Sequence, residues 1–392
     1  MAPRIPRDRE DDYTREAAEA RRGFAAEQPG AVLEHVGSYS LDPQTLPGNI
    51  EHFTGVAQVP IGLAGPLLVD GEHAQGEFYV PLAPTEGTLV ASYNRGMKLL
   101  HAAGGVRTTV VEDHMQRAPA FLCEDARQAR ALRDWIDDHL PEIRAAAEVT
   151  SSVAQLVEVE RYHAGRFLYC RFDYRTGDAA GQNMTGKATR AACEWIVAHN
   201  DAGVREYQLE AQLASDKKHS HINTLRTRGK RVIAEAEIPD ALLREHLNTS
   251  AEALLRQRRI SHLGARLSLT TNNGSHSANG LTAMFIATGQ DVANIAESHA
   301  ALVYAEPGRS GDEDTYRYSI SLPSLIIATV GGGTGLATQR ECLELLGCTG
   351  PGSVHKLAEI MAATVLCGEL SFGAAIASDG WGDSHVRHGR NR

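Results

Sequence analysis

The feature that most constrains this fold is an apolar segment near the C-terminus, LAEIMAATVLCGELSFGAAIAS (357–378). Apolar residues would cover most sides of the helix that it forms, which predicts a core helix buried by surrounding structure. A chain of 392 residues can bury such a core in about two or three structural units. Because no apolar run reaches the roughly 20 residues that cross a bilayer, we expect no membrane partner.

Composition narrows the class of protein. The formal net charge is −10, which argues against a basic nucleic-acid-binding surface. The six cysteines form no CxxC pair, so they indicate reduced, buried thiols and neither disulfides nor a zinc site. His219 and His221 lack the further ligands that a metal site needs. Because the N-terminus is also too charged for a signal peptide, we expect a soluble cytoplasmic protein without a bound metal.

Patterns along the chain predict one large domain that contains an insertion. An N-terminal helical segment covers 1–47, and residues 118–209 form a small inserted domain. The large domain comprises 48–117 and 210–380, and a polar tail follows at 381–392. We therefore expect a mixed α+β and α/β protein, with a small α+β domain inside a larger α/β body.

The insertion alternates strands and helices. Residues 119–123 (PAFLC) predict a strand, and 125–149 predict an amphipathic helix. Residues 154–162 and 166–175 alternate as two strands, and the His-Ala-Gly between them predicts a hairpin. A second helix is expected from about Gly177.

Two glycine-rich loops precede helices: the first glycine loop, TGDAAGQNM (176–184), and the second glycine loop (331–334), which follows the buried strand ISLPSLIIATV. Backbone N–H groups at a helix start attract anions, and glycines let a ligand approach the backbone. Tight structural turns would explain the same residues equally well. Neither loop is a GxGxxG in a βαβ unit, so the sequence does not predict a Rossmann domain.

Charged residues also occur within apolar segments. Glu86 is expected at the start of an apolar helix, Lys217 and its neighbours follow a strand-like stretch, and Asp291 lies within an otherwise apolar helical segment. Buried charges are costly unless paired, so a cluster of them would have perturbed pKa values and would be a candidate for catalysis. Taken singly, each is more typical of a surface or capping charge.

Several further motifs occur in an order typical of one enzyme family. They are VPIGLAGPL, EGTLVASYNRG, HMQRAP, TGDAAGQNM, DKKHSHIN, HSAN with a later GQD, TVGGGTGLATQ, and CGELSFGAAIA followed by Ser-His. From about residue 48 to 388 the chain therefore resembles the 3-hydroxy-3-methylglutaryl-CoA reductase family.

The resemblance implies NAD(P)H-dependent four-electron reduction of 3-hydroxy-3-methylglutaryl-CoA to mevalonate and CoA, through a hemithioacetal and an aldehyde. Lys217 would stabilise the developing oxyanion. Glu86 would supply protons, with its pKa tuned by Asp291 and Lys217. His385, on a tail that closes over the site between steps, would protonate the departing thiolate.

The resemblance also implies binding residues, cofactor and assembly. Substrate and coenzyme A would contact Glu51, Ser92, Asn94, Arg95, Arg117, Asp216, Lys218, Arg259, His276, Asn279 and Ser384. The cofactor, NADPH with NADH as the alternative, would contact Ser151, Asp178, Gly181, Asn183, Gly331, Gly332, Gly333 and Thr334. The implied fold is a large α/β domain with an inserted ferredoxin-like cofactor domain. The implied assembly is a homodimer or dimer of dimers with the active site at the subunit interface.

Departures from the family pattern bear on specificity. Glu210 replaces the usual serine beside the substrate carboxylate, which it would repel by about 1–3 kcal/mol unless it is turned away, paired or protonated. The stretch 263–275 carries bulky residues where small ones are usual. Ser151 is followed by serine where relatives that prefer NADPH often have arginine, although Arg161 or Arg166 could compensate.

Two other functions stay open at this stage. One is the same reduction of a different acyl-CoA thioester, which Glu210 and the altered 263–275 stretch favour. The other is a non-catalytic protein that binds CoA or a nucleotide. The presence of all four residues that match the family's catalytic set disfavours this second alternative: Glu86, Lys217, Asp291 and His385.

Overall fold

The computed structural model describes residues 4–27 and 31–378. The N-terminal segment contains helix α1 (Arg15–Glu27) and the short helix α2 (Glu34–Gly37). They precede a strand-rich body, and a small apolar cluster around Phe53 packs this segment together.

Ten strands in the described ranges form one sheet. They are β1 (Gly62–Gly71), β2 (Gln75–Leu82), β3 (Val106–Arg117), β4 (Ala120–Leu122), β5 (Gln155–Ala164), β6 (Phe167–Arg175), β7 (Glu206–Gln208), β8 (Gly229–Pro239), β9 (Leu302–Ser310) and β10 (Glu313–Leu325).

The sheet is mixed and mainly antiparallel. Its main path runs β7-β4-β6-β3-β8-β10-β9, while β1 pairs with β2 and β3, and β5 pairs with β6. Only the β1–β3 pair is parallel among the described strands. The predicted mixture of helices and sheet is confirmed at this level.

Helices cover the sheet and connect its strands. After α2 they are α3 (Leu89–Ala102), α4 (Ala126–Asp138), α5 (Leu140–Glu148), α6 (Gln182–His199), α7 (His221–Arg226), α8 (Asp240–Leu247), α9 (Ala251–Leu267), α10 (Ser277–Thr288), α11 (Ile295–Ser298), α12 (Ala337–Leu345) and α13 (Ser353–Ala377).

Helix α13 is the centre of the larger core. Its length and a mean hydropathy of 1.7 over its most apolar stretch would suffice to cross a membrane, but 83% of that stretch is buried inside the protein. It packs on α3 so closely that a Cβ added at Gly96 would collide with the backbone of Cys367. The prediction of a buried core helix is therefore confirmed. Helix α13 is long and apolar because it packs inside the protein.

A second, separate core lies in the part of the chain between β3 and β8. It joins the inner faces of α4, α5 and α6 to β5 and β6, with Phe121, Trp135 and Phe172 among its buried members. The predicted hairpin is β5–β6. Strand β3 pairs with β6 through residues 115–117, so the two cores share one continuous sheet.

Two predicted helices have different bounds. The single helix over 125–149 is two helices, α4 and α5, because His139 leaves the helical conformation and Pro141 sits in the first turn of α5. Helix α6 begins at Gln182, later than Gly177, because Gly177 and Gly181 both adopt positive φ angles.

Candidate functional site

The two glycine loops meet at the start of α13. The carbonyl oxygen of Asp178 accepts the N–H of Thr329 at 2.9 Å, just before the second glycine loop. The Asp178 carboxylate accepts the N–H groups of Gly352 and Val354 at 2.8 and 3.1 Å. A carboxylate is favoured there because the helix start carries partial positive charge. Asp178 thus joins both loops to the core helix.

Residues of both loops line an open cavity of about 600 Å³, which is within the usual size range of small-molecule sites. Seven of the predicted site residues line it: Gly181, Asn183, Asp291, Gly331, Gly332, Gly333 and Thr334. Its apolar wall includes Phe285, Ile286, Ile326, Ala328 and Val330. Polar loop backbone beside an apolar wall suits a ligand with a flat apolar part and an anionic part.

Lys217 and Asp291 form an ion pair at this cavity. The Lys217 Nζ lies 2.9 Å from Asp291 Oδ2, and both side chains are a little under half exposed. The prediction that Asp291 lies inside a helix is wrong, because α10 ends at Thr288 and Gly289 adopts a φ of 72°. Asp291 instead caps a short turn by accepting the N–H of Ala293 at 3.1 Å.

The main chain of Lys217 is held by a buried carboxylate. Glu297 Oε1 accepts the Lys217 N–H at 2.5 Å and also the Arg228 Nη1 at 2.6 Å. The Arg228 Nη2 donates to Asp216 at 2.9 Å. Burial raises the pKa of Glu297 to about 7, although Arg228 opposes this rise. A buried cluster of carboxylates and cations does exist, and its carboxylate with the raised pKa is Glu297.

Among the residues that the structure describes, Glu86 forms no ion pair with this cluster. It is exposed, and α3 begins at Leu89, so the prediction that Glu86 opens the helix is wrong. Thr88, with a φ of 70°, keeps the preceding residues out of the helix. Within the described ranges no ion pair joins Glu86 to Lys217.

Glu51 is also exposed. The side chain of Asn49 donates to the Gly332 carbonyl at 2.9 Å, which brings the segment before Glu51 to the second glycine loop.

Two of the three predicted polar residues of α3, Ser92 and Arg95, contact α13. Arg95 donates to the hydroxyl and carbonyl oxygens of Ser371 at 3.1 and 2.6 Å, and the Ser92 hydroxyl lies 3.1 Å from the Ser371 hydroxyl. Asn94 accepts the N–H of Gly65 at 3.0 Å. These side chains therefore have partners within the chain, and Asn94 is the exposed member.

His276 is buried at the start of α10. Its ring lies against Tyr93 and Phe372, with ring centroids 4.9 and 5.1 Å away. Burial lowers the pKa of His276 to about 4, so the ring is neutral near pH 7. The Asn279 amide donates to Nδ1 at 2.9 Å, which leaves the proton on Nε2, a buried atom without a hydrogen-bond partner in the described chain. Arg259 is exposed on α9.

Glu210 is paired, which is one of the three conditions under which it would not repel a carboxylate. Its Oε2 accepts the Arg117 Nη1 at 2.6 Å, and Arg117 also donates to the Gln182 carbonyl at 3.1 Å. Lys218 donates to the Asp216 carbonyl at 3.0 Å. The family resemblance implies three cations that would hold the acyl carboxylate, Arg117, Lys218 and Arg259, and Arg117 therefore already has an anionic partner.

Other predicted residues lie elsewhere. The Ser151 hydroxyl accepts the N–H groups of the loop before β5, and Ser151 is not among the residues that line the cavity. Arg161 forms an ion pair with Asp137. Ser384 and His385 lie outside the described residues.

Several site residues were missed by the sequence analysis. Gln182 lines the cavity and donates to Asn294 at 2.9 Å, and Gln290 lines it as well. The position of Gln182 at a helix start within TGDAAGQNM was a usable signal. The sequence contains no such signal for Glu297 and Arg228, because they are isolated charges whose contacts join distant parts of the chain.

Comparison with known proteins points to one family, both by a family profile and by individual relatives. The profile of the family described as "Hydroxymethylglutaryl-coenzyme A reductase" matches residues 17–390. The chain is 39% identical over 380 residues to 3-hydroxy-3-methylglutaryl-coenzyme A reductase of Methanocaldococcus jannaschii, covering 95% of this chain and 93% of that protein. The corresponding protein of Pyrococcus abyssi is 42% identical over 383 residues, with coverage of 95% and 93%.

A solved structure shows the same fold. It is the class II 3-hydroxy-3-methylglutaryl-CoA reductase of Streptococcus pneumoniae bound to NADPH in open conformations. It superposes with a TM-score of 0.70 at 20% identity and covers 93% of this chain and 97% of that chain. With a family profile that spans nearly the whole sequence and relatives near 40% identity, this chain belongs to the hydroxymethylglutaryl-coenzyme A reductase family.

Proposed function

We propose that this protein reduces 3-hydroxy-3-methylglutaryl-CoA to mevalonate and CoA with NADPH as the hydride donor. The observation that carries the proposal is the Lys217–Asp291 pair, 2.9 Å apart, at a cavity formed by two glycine loops. This arrangement places a cation beside the cavity, as the reduction of a thioester carbonyl requires. The curated relatives near 40% identity carry the name of this enzyme.

The cavity fits a nicotinamide nucleotide. Its volume of about 600 Å³ and its apolar wall would accept the flat ring, while the loop N–H groups would face the phosphates. Gly181, Asn183 and the second glycine loop would hold the nucleotide, with Asp178 as the brace that joins the two loops. When bound, the nicotinamide supplies the hydride.

The remaining chemistry falls to side chains of the protein. The Lys217 ammonium would stabilise the oxyanion as the carbonyl is reduced, with Asp291 holding it in place. Glu86 would supply protons, and His385 would protonate the departing thiolate. The neutral His276, with its Nε2 proton unpaired among the described residues, is suited to donate a hydrogen bond to the substrate.

Arg117, Lys218 and Arg259 would hold the acyl carboxylate, as the family resemblance implies. Binding residues for the remainder of substrate and CoA would be Glu51, Ser92, Asn94, Arg95, Asp216, Asn279 and Ser384. Ser151 would lie at the outer edge of the nucleotide site. Because Arg161 is ion-paired and serine follows Ser151, NADH is the alternative donor.

We also propose an active site completed by a second chain. Among the described residues Glu86 is exposed and forms no ion pair with Lys217, as expected if the proton donor of one subunit serves the lysine of another. This assembly would be a homodimer or a dimer of dimers in the cytoplasm, without a membrane partner. Residues 118–209 would be a ferredoxin-like, non-Rossmann cofactor domain, 48–117 and 210–380 the catalytic domain, and 381–392 a closing flap.

The test is an absorbance assay of nicotinamide oxidation with 3-hydroxy-3-methylglutaryl-CoA and either NADPH or NADH. We expect twice as many nicotinamide equivalents oxidised as thiol released, which is the ratio for a four-electron reduction. Oxidation of only one nicotinamide per thiol released, or no nicotinamide oxidation with either NADPH or NADH, would contradict the proposal. Mevalonate should be the product in solution.

The runner-up is the same reduction of a different acyl-CoA. The Arg117–Glu210 pair at 2.6 Å favours it, because a paired arginine offers less attraction to a substrate carboxylate. A panel of acyl-CoAs that lack the terminal carboxylate decides between the two. Higher kcat/KM with such a substrate than with 3-hydroxy-3-methylglutaryl-CoA would favour the runner-up.

A further inference from the structure

Two carboxylates on one short segment hold Lys217 at both ends of the residue. Asp291 contacts the side-chain Nζ at 2.9 Å, and Glu297 accepts the main-chain N–H at 2.5 Å. We propose that Glu297, fixed by Arg228, is a positioning residue that sets the backbone conformation from which the Lys217 ammonium reaches the reacting carbonyl. This inference rests on the proposed function of Lys217 and adds two buried residues that do not themselves touch the substrate.

The backbone at Lys217 needs such support. Its φ is 55°, in the left-handed region that residues other than glycine rarely adopt. Ser215, two residues earlier, has a φ of 56°, and its carbonyl accepts the Lys218 N–H at 3.0 Å. A strained turn of this kind persists only where surrounding contacts hold it. The main-chain N–H of Lys217 donates directly to Glu297, and this hydrogen bond supports the left-handed backbone.

Glu297 and Arg228 are held rigidly. Their side chains are 1% and 0% exposed, and the Arg228 Nη1 lies 2.6 Å from the same Glu297 oxygen that accepts the Lys217 N–H. The Arg228 Nη2 donates to Asp216, the residue before Lys217, at 2.9 Å. The buried pair therefore contacts both residues of the Asp216–Lys217 peptide bond: Arg228 bonds the Asp216 side chain, and Glu297 accepts the Lys217 N–H.

Stability alone is a poor explanation for this buried pair. Glu297 Oε2 and Arg228 Nε are buried without hydrogen-bond partners in the described chain, and a buried polar atom without a partner is unfavourable. A buried ion pair is often no more stabilising than apolar residues of the same volume. Precise placement of a catalytic ammonium is a benefit that apolar residues could not provide, because a small misplacement slows a reaction strongly.

The chain offers a matched control in Glu359. This carboxylate of α13 is also fully buried and accepts main-chain N–H groups, those of Glu72, His73 and Ala74, at 2.6–3.1 Å. None of these residues lines the cavity. Glu297→Gln, Glu297→Ala and Glu359→Gln should be compared for kcat, KM and thermal unfolding.

We expect Glu297→Ala to lower kcat by roughly 10- to 100-fold while the KM for the thioester changes by less than about threefold. Glu297→Gln should fall between wild type and alanine, because its amide oxygen still accepts the Lys217 N–H. Glu359→Gln should lower the unfolding temperature with kcat near wild type. If Glu297→Ala does not fold, the Glu297→Gln and Glu359→Gln pair decides the question.

A double variant separates positioning from an independent effect. Because Glu297 acts through Lys217, Glu297→Gln combined with Lys217→Ala should be no slower than Lys217→Ala alone. Losses that multiply, or a wild-type kcat in Glu297→Gln, would overturn the inference while leaving the proposed function intact. If Lys217→Ala itself kept the wild-type kcat, the role of Lys217 in the proposed function would fail, and the inference with it.

Discussion

Lys217 is the residue on which the proposed chemistry depends most. Lys217→Ala should slow the reduction by roughly 100- to 1000-fold, or about 3–4 kcal/mol, because the oxyanion loses its cation. The measurement is kcat with saturating thioester and cofactor. Lys356→Ala is the control, since Lys356 donates to the Gly347 carbonyl away from the cavity. Near wild-type turnover in Lys217→Ala would remove this lysine from the mechanism.

Glu210 is ion-paired with Arg117, which is proposed to hold the acyl carboxylate of the substrate. In Glu210→Ser the 2.6 Å ion pair is lost, and Arg117 becomes available to the substrate. We expect a lower KM for 3-hydroxy-3-methylglutaryl-CoA with little change in kcat, because the gain is uniform binding. Glu206→Ser, a change at an exposed residue of β7, is the control for altered net charge. A clear rise in KM for Glu210→Ser would show that Glu210 contacts the natural substrate favourably.

At the scale of elements, the crossing of α3 and α13 requires a glycine. A Cβ at Gly96 would collide with the backbone of Cys367, so Gly96→Ala should destabilise the protein by about 1–3 kcal/mol. Gly23→Ala is the matched control, because Gly23 is also helical but has open space around its Cβ position. The control should be neutral or stabilising. Chemical denaturation measures both, and equal stability of the two variants would contradict the close crossing.

Strand β6 carries a carboxyl whose titration should affect folding. Burial raises the pKa of Asp173 to about 7, although Arg171 opposes the rise, and the value in the unfolded chain is near 3.8. Because the folded state holds this proton more tightly, Asp173 contributes a loss of stability as pH rises from about 4 to 7. The loss is on the order of 1–4 kcal/mol at pH 8.

The variant that tests this is Asp173→Asn. It should be more stable than wild type at pH 8 and similar to wild type near pH 4, because asparagine resembles the protonated carboxyl. Urea unfolding at both pH values gives the difference in the free energy of unfolding. A difference that does not change with pH would contradict the raised pKa.

For the whole molecule, helix α9 carries exposed apolar residues that the proposed assembly of two chains would cover. Ile260, Leu263 and Leu267 are 68%, 63% and 79% exposed and lie on one face of the helix. We expect a second copy of the chain to cover them, so that sedimentation velocity shows a dimer or larger species. Ile260→Glu combined with Leu267→Glu should yield monomers. Val149→Glu, at an exposed residue of the second core's surface, should leave the assembly unchanged.

Much of the architecture follows from local patterns in the sequence. The apolar content of 357–378 led to the buried α13, and the alternation around His-Ala-Gly led to the β5–β6 hairpin. These predictions succeed because periodicity and turn residues depend on neighbours in the chain. The predicted starts of two helices were wrong because a residue with positive φ, Gly181 or Thr88, makes the helix begin later in the chain.

By itself, the sequence determined the buried helix α13, the β5–β6 hairpin and the family, because each depends on short motifs or on periodic burial. Only the tertiary structure decided which charges meet. Glu210 joins Arg117, Asp178 caps α13, and Glu297 holds Lys217 with Arg228. Each of these contacts joins residues far apart in sequence, so no local pattern records them, and the pKa of a buried carboxylate depends on which partner the fold brings within reach.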